Sequence, residues 1–408
     1  MVAIGILLSS AIASCKTSPR SITPPLPSPD VQGASATDPI ILQTEALYGL
    51  DFSRDGTKLL VIGKNVAQIY DTHTWRPLGD QMARKGMERG TFDAKADRVL
   101  TVDYATWIRL GPITREELET ASACVWDAKT GKRVAVIRHA GQCVNDAAMS
   151  PDGSRVVTIN AEDDRALVWD VARGELELVR ILKHPGNVRT IQFDSTGEVL
   201  VTTYKNSDGH YIARLWNFAT GETHDLPEPG EASWYWARPS LSNNGLIVLP
   251  TTYGISVYDI SSLKLILRKS NLVGSHGQVF AVGLSPDGKF VGASHERESI
   301  WEVETGKLVS EGLFPAMDYE LGDALPSFNA DGVSIALPGN DGACIRNLRT
   351  GQLLRKLNYG WAHQATFSPD GTMLAYSYNN QTRVIFAKPD AQGSDRWKKS
   401  WEDRWEQD

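Results

Sequence analysis

Met149-Ser150-Pro151-Asp152-Gly153, Arg155-Val156-Val157-Thr158-Ile159, Ala166-Leu167-Val168-Trp169-Asp170 and Arg173-Gly174-Glu175 make up one phrase, and its reading decides the fold. An apolar segment runs into Pro-Asp-Gly, where Pro presets φ and Gly accepts φ > 0, so the chain turns. A strand rich in Val, Ile and Thr follows, Glu162-Asp163-Asp164 breaks it, and a third strand ends on an aromatic and a carboxylate. The phrase returns at Leu284–Lys307, with Ser285-Pro286-Asp287-Gly288 and Ile300-Trp301-Glu302 in the same places.

Anchoring each copy on its first turn gives Gly56, Ala96, Gly153, Gly197, Gly245, Gly288, Gly332 and Gly371, at a mean spacing of 45 residues. The third strands end on Tyr70-Asp71, Trp126-Asp127, Trp169-Asp170, Trp216-Asn217, Tyr258-Asp259, Trp301-Glu302, Arg346-Asn347 and Phe386-Ala387. Turns such as Thr130-Gly131, Thr220-Gly221, Thr305-Gly306 and Thr350-Gly351 follow. A period of 40–45 residues ending on Trp-Asp is the mark of four-stranded propeller blades. On these residues the chain resembles the WD40-repeat family from about 41 to 388. The resemblance implies an all-β propeller of eight blades, with seven as the fallback because the second and seventh copies are degenerate. A ring must hide its strand edges. The last copy has little apolar sequence after Lys388, so Ile40-Ile41-Leu42-Gln43 is the expected donor of its missing strand.

The termini extend beyond this ring. Val2 to Ala13 is apolar, too short to span a bilayer and suited to a signal-peptide core. Ile12-Ala13-Ser14-Cys15 resembles the lipobox of bacterial lipoproteins, which implies acylation of Cys15. The alternative is an ordinary signal peptide cut after Ala13, and no Lys or Arg precedes the run. Residues 16–38 hold five prolines, a composition that spaces rather than folds. The division is therefore 1–14 signal peptide, 15–39 lipidated cysteine and tether, 40–388 propeller and 389–408 tail. By analogy with Gram-negative lipoproteins, Lys16 favours the outer membrane, facing the periplasm or the exterior. In the tail, Trp397, Trp401 and Trp405 recur every fourth residue, one stripe of a helix. It could dock on the propeller rim, in a partner's groove or at a membrane interface.

Net charge is −7, which argues against a nucleic-acid partner. Of the remaining cysteines, Cys124 and Cys344 sit in apolar third strands and read as buried thiols; pairing of Cys124 with Cys143 stays open.

In a WD40-like ring, the turns between first and second strands, and those after the aromatic–carboxylate pair, share one face. The remaining connections share the other. Here the first set is short and built of turn residues. The second set holds the length and the aromatics: Tyr104 to Thr120 with Trp107 and a short helical turn near Thr114, Tyr204 to Tyr211 with His210, then Trp234-Tyr235-Trp236, Phe314, Tyr319, Tyr359 and Trp361. Trp and Tyr offer large contact area at low entropy cost. Tyr104, Trp107, Tyr204, His210, Tyr211, Trp234, Tyr235, Tyr319 and Trp361 are the expected partner-binding residues. Against this, some of these rings, Trp236 and Tyr359 first, could pack between blades. His139, His184 and His276 precede first strands, where the resemblance implies a buried network with the third-strand Trp. His210, His295 and His363 are better placed for exposure.

No Gly-x-Ser-x-Gly elbow, P-loop or Gly-x-Gly-x-x-Gly occurs in the sequence. The expectation is a non-catalytic scaffold: a monomeric propeller on the envelope, touching the membrane through its lipid only. It binds a protein or peptide and uses no cofactor and no metal. Trp126-Asp127-Ala128-Lys129-Thr130-Gly131 is also faintly similar to repeats of the propeller lipoprotein of the outer-membrane β-barrel assembly machine, which gives a first alternative. A propeller enzyme with its site at the channel mouth is the second.

Overall fold

A computed structural model of the chain describes residues 40–386 apart from 44–46, 64, 85, 104–121, 140–141, 161, 173–175, 227–237, 252–253, 271, 273–278, 280, 295–297, 312–325, 331, 339–342, 358–361, 363 and 379–380. Within them the chain forms eight antiparallel sheets of four strands, an eight-bladed β-propeller without helices. Blades 1 to 7 run over 47–83, 87–137, 146–183, 187–225, 240–269, 281–311 and 327–357, each laid down from the axis outward. Blade 8 takes three strands from 365–386 and its outermost from Ile40–Gln43. That donor pairs antiparallel with Gln381–Phe386, Ile40 opposite Val384 and Gln43 opposite Gln381. The expected closing strand is the observed one. Leu42, 1% exposed, anchors it among Leu50, Phe52 and Leu59 of blade 1.

The core lies between blades. Val157, Ile159, Val168 and Leu182 of blade 3 pack on Val188, Ile191, Phe193 and Trp216 of blade 4. Alternation along each strand sends one set of side chains to the preceding blade and one to the next.

The first turn of each blade is wired by its sequence. In blade 3 the Ser150 hydroxyl donates to Asp152 at 2.5 Å and accepts the Arg155 amide at 3.0 Å, while Asp152 accepts the Ser154 amide at 3.0 Å. Blades 1, 6 and 8 repeat the serine contacts at Ser53, Ser285 and Ser368. Gly153 closes the turn at φ +69°. Where blade 2 has Ala96 instead, the residue is still held left-handed, at φ +54°. Trp75 and Leu263, both at φ +56°, occupy the turn after the third strand, where Gly131 stands in blade 2. Cys124, Cys143 and Cys344 are buried and in no disulfide, so Cys124 and Cys143 do not pair.

Candidate functional site

The strand ends divide the ring into two unlike rims. On one, every connection between first and second strands is four or five residues long, and every connection from third to outer strand four to six. The other rim carries the connections at 104–122, 226–239, 270–280 and 312–326. Antiparallel strands force this segregation, because each connection type always leaves from the same end of the blade.

Of the expected binding residues, Tyr104, Trp107, Trp234, Tyr235, Tyr319 and Trp361 lie outside the described residues, as do Cys15, His276 and the tail with Trp397, Trp401 and Trp405. The three that are described fall in blade 4. Tyr204 and Tyr211 correct the expectation of a surface pair: one is the penultimate residue of a strand and the other begins the next, and they are 1% and 8% exposed. The connection is only 206–210, folded tightly because the Asn206 side chain accepts the amides of Asp208 at 3.0 Å and His210 at 2.9 Å. His210 remains exposed. The Tyr204 hydroxyl donates to Asp225 at 3.1 Å, and its ring lies 5.1 Å under the Arg214 guanidinium. Arg214 grips Asp225 in turn, Nε at 2.5 Å and a terminal nitrogen at 2.7 Å. Tyr204 thus belongs to the blade's interior.

Beneath it lies the histidine network read from the sequence. His184 Nδ1 sits 3.2 Å from the Asp164 carbonyl, which can only accept, so Nδ1 carries the proton. Nε2 then accepts from the Thr202 hydroxyl at 2.8 Å, and Trp216 Nε1 donates to the same oxygen at 2.9 Å. Blade 3 repeats the arrangement with His139, Thr158 and Trp169, each contact 2.8 Å. Burial holds both imidazoles down to a pKa of about 4. In blade 2, Trp126 donates to Thr101 at 2.8 Å, but Arg84, Asp103 and Ser122 take the histidine's place.

A second feature lies on the axis and escaped the sequence reading. Inner strands are stitched from blade to blade by channel-facing side chains. Asp51 accepts the Phe92 amide and the Thr91 hydroxyl, both at 2.9 Å. Asp146 accepts the Ile191 amide at 3.2 Å, Ser240 that of Leu284 at 3.2 Å, and Ser327 that of Phe367 at 3.0 Å. Gln364 closes the circle, accepting the Leu50 amide at 2.7 Å and donating to the Leu50 carbonyl at 3.0 Å. Burial pushes the Asp51 carboxyl up to about 6, against the opposing pull of the Phe92 amide and Thr91 hydroxyl.

Asp146, with no exposed side-chain surface, also meets two guanidinium groups. Arg89 of the preceding blade donates to one oxygen, and Arg238, from the connection into blade 5, reaches the other at 2.9 Å. These groups border an axial cavity of about 620 Å³, walled also by Thr91, Ala148, Gln192 and Ser240. Asp51, Arg54, Asp93 and Asp194 stand toward its tight-turn end. Among the described residues no group of three His, Cys, Asp or Glu is placed to hold a metal ion.

The chain matches no family model and no curated protein. Among solved structures it is similar to the computationally designed Ika8 protein, at 18% identity and a TM-score of 0.61, over 84% of this chain and 96% of that one. At that identity the likeness speaks to fold alone, and the class defined is the eight-bladed β-propeller.

Proposed function

We propose that the chain is a WD40-like binding scaffold, exported and tethered to a bacterial envelope through an acylated Cys15, which receives a protein or peptide partner on the rim of long connections. The observation that carries this reading is the segregation of the two rims. Connections of up to 19 residues leave one rim only, and they carry Tyr104, Trp107, Trp234, Tyr235 and Tyr319. Binding residues are disproportionately found on loops borne by a rigid scaffold, and a closed ring of blades is such a scaffold. The recurrent serine–aspartate wiring of the first turns supports the WD40 likeness. For a channel enzyme, a cluster of shifted carboxylates and histidines is needed. Among the described residues lining the cavity there is one such carboxylate, Asp51, and no histidine.

The test is an affinity capture from envelope extract, with wild type against a Trp107→Ala/Trp234→Ala/Tyr235→Ala variant. The variant must first keep its circular dichroism spectrum and melting temperature. A partner held by wild type and lost by the folded variant supports the reading; equal capture by both overturns the assignment of the face.

A further inference from the structure

We infer that the outer strand of blade 3, Glu177–Lys183, is a self-complementary edge through which two copies of the chain pair into an antiparallel dimer, in place of the monomer expected from the sequence. Outer strands lie on the circumference of the ring, so this pairing covers neither rim and does not rest on the function proposed above.

The outermost strand of a sheet presents a row of unpaired backbone groups, and proteins ordinarily blunt it with charge, proline or shortness. Most outer strands here are blunted. In blade 1, Pro77–Ala83 includes Pro77, Gly79 and Asp80, and the Thr130 carbonyl of blade 2 accepts the Asp80 amide. In blade 4 the outer strand is three polar residues, Thr223–Asp225, and in blades 6 and 8 it has four residues. Blade 3 departs from this. Its outer strand has seven residues without proline or glycine, and Leu178, Val179 and Ile181 are 43%, 48% and 44% exposed. A bulge at Val179, a feature shared with blades 2, 5, 6 and 7, is its one irregularity.

The charges say what fits this edge. Pairing two identical strands about a two-fold axis at Arg180 sets Glu177 of each copy opposite Lys183 of the other, Leu178 opposite Leu182, and Val179 opposite Ile181. An apolar middle is then closed at both ends by an opposite-charge pair. Neither Glu177 nor Lys183 has a salt-bridge partner among the described residues of its own chain. Two Arg180 residues meet at the axis, but each guanidinium lies over its own Phe218 ring, 5.8 Å from the centroid. The open edge ends at Lys183, whose carbonyl accepts from Arg214 at 3.3 Å. Blades 5 and 7 also expose leucine and isoleucine on their outer strands, yet the charges there are all basic: Lys264, Arg268 and Lys269 in one, Arg355 and Lys356 in the other. Self-pairing of those strands brings like charges together, which is destabilising. Charge complementarity therefore selects blade 3 as the edge and a second copy as its occupant. A pairing of seven residues stands at the small end of specific interfaces, so the dimer is concentration-dependent.

Sedimentation velocity of the purified full chain at low salt, across the micromolar range, tests the pairing. Wild type should pass from monomer to dimer. Glu177→Lys and Lys183→Glu should each weaken association by about tenfold or more, since each converts both end pairs to like charges. An equimolar mixture of the two variants should recover the wild-type affinity, because opposite charges face each other again. Both positions are exposed, so melting temperature should not change. Monomers at every concentration, a dimer that neither substitution weakens, or a mixture no better than the single variants overturns the inference. The first of these leaves the edge to a strand of foreign sequence.

Discussion

The Thr202 hydroxyl serves two neighbours at once, a tryptophan donor and a histidine acceptor, and the Thr158 hydroxyl likewise joins Trp169 and His139. Thr202→Val keeps the shape but strands a buried Trp N–H and a buried imidazole nitrogen. It should cost about 2–3 kcal/mol in urea unfolding. The same network makes stability depend on pH. Each histidine is neutral in the fold with a pKa of about 4, against 6.5 unfolded, so the unfolded chain binds more protons between those values. Stability from these groups is complete above pH 6.5 and falls as pH drops toward 4, by up to about 3 kcal/mol for each histidine. Asp51 acts the other way: its folded pKa of about 6 exceeds the ordinary 3.8, so acid favours the fold through that window. Unfolding followed from pH 7 to 4.5 should show a net loss, and His139→Gln should flatten it. The roles of His139 and His184 were legible because each precedes an inner strand by a few residues. Tyr204 and Tyr211 were not, since an aromatic at a strand end and one in a loop look alike when the connection's length is misjudged.

At the level of strands, the ring closes twice. On the outside Ile40–Gln43 completes blade 8, and at the axis Gln364 clasps Leu50 by two hydrogen bonds. Leu42→Asp buries a charge with no partner among Leu50, Phe52 and Leu59 and should cost about 3–5 kcal/mol, read from denaturant midpoints. Gln364→Ala strands one amide and one carbonyl and should cost about 1–3 kcal/mol by the same measurement. The donor strand was legible from a deficit, since the last copy lacked an apolar fourth segment and the chain ahead of the first copy supplied one. The left-handed backbone at Trp75 and Leu263 was not, because sequence shows a missing glycine without showing that the turn keeps its shape. In blade 2, Gly131 is held at φ +71° with the Asp80 carbonyl of blade 1 where a Cβ would stand. Gly131→Ala should therefore destabilise by more than about 1 kcal/mol.

Across the whole molecule, eight blades were legible because the repeat is distributed: any one Trp-Asp pair is uninformative, whereas eight turns at a mean spacing of 45 residues are not. The axial cluster was hidden for the opposite reason. Arg89, Asp146 and Arg238 are separated by 57 and 92 residues, and only the closing of the ring brings them to one cavity. Alternation of strand direction assigns each type of connection to one rim, and the sequence places its long connections on one rim only. The functional claim rests on that sorting. Hydrogen–deuterium exchange of the purified chain, alone and with its captured partner, tests it most directly. The account predicts new protection in peptides covering 104–121, 227–239 and 312–326, with the turns at 53–57, 150–154 and 285–289 unchanged; protection confined to those tight turns would contradict it.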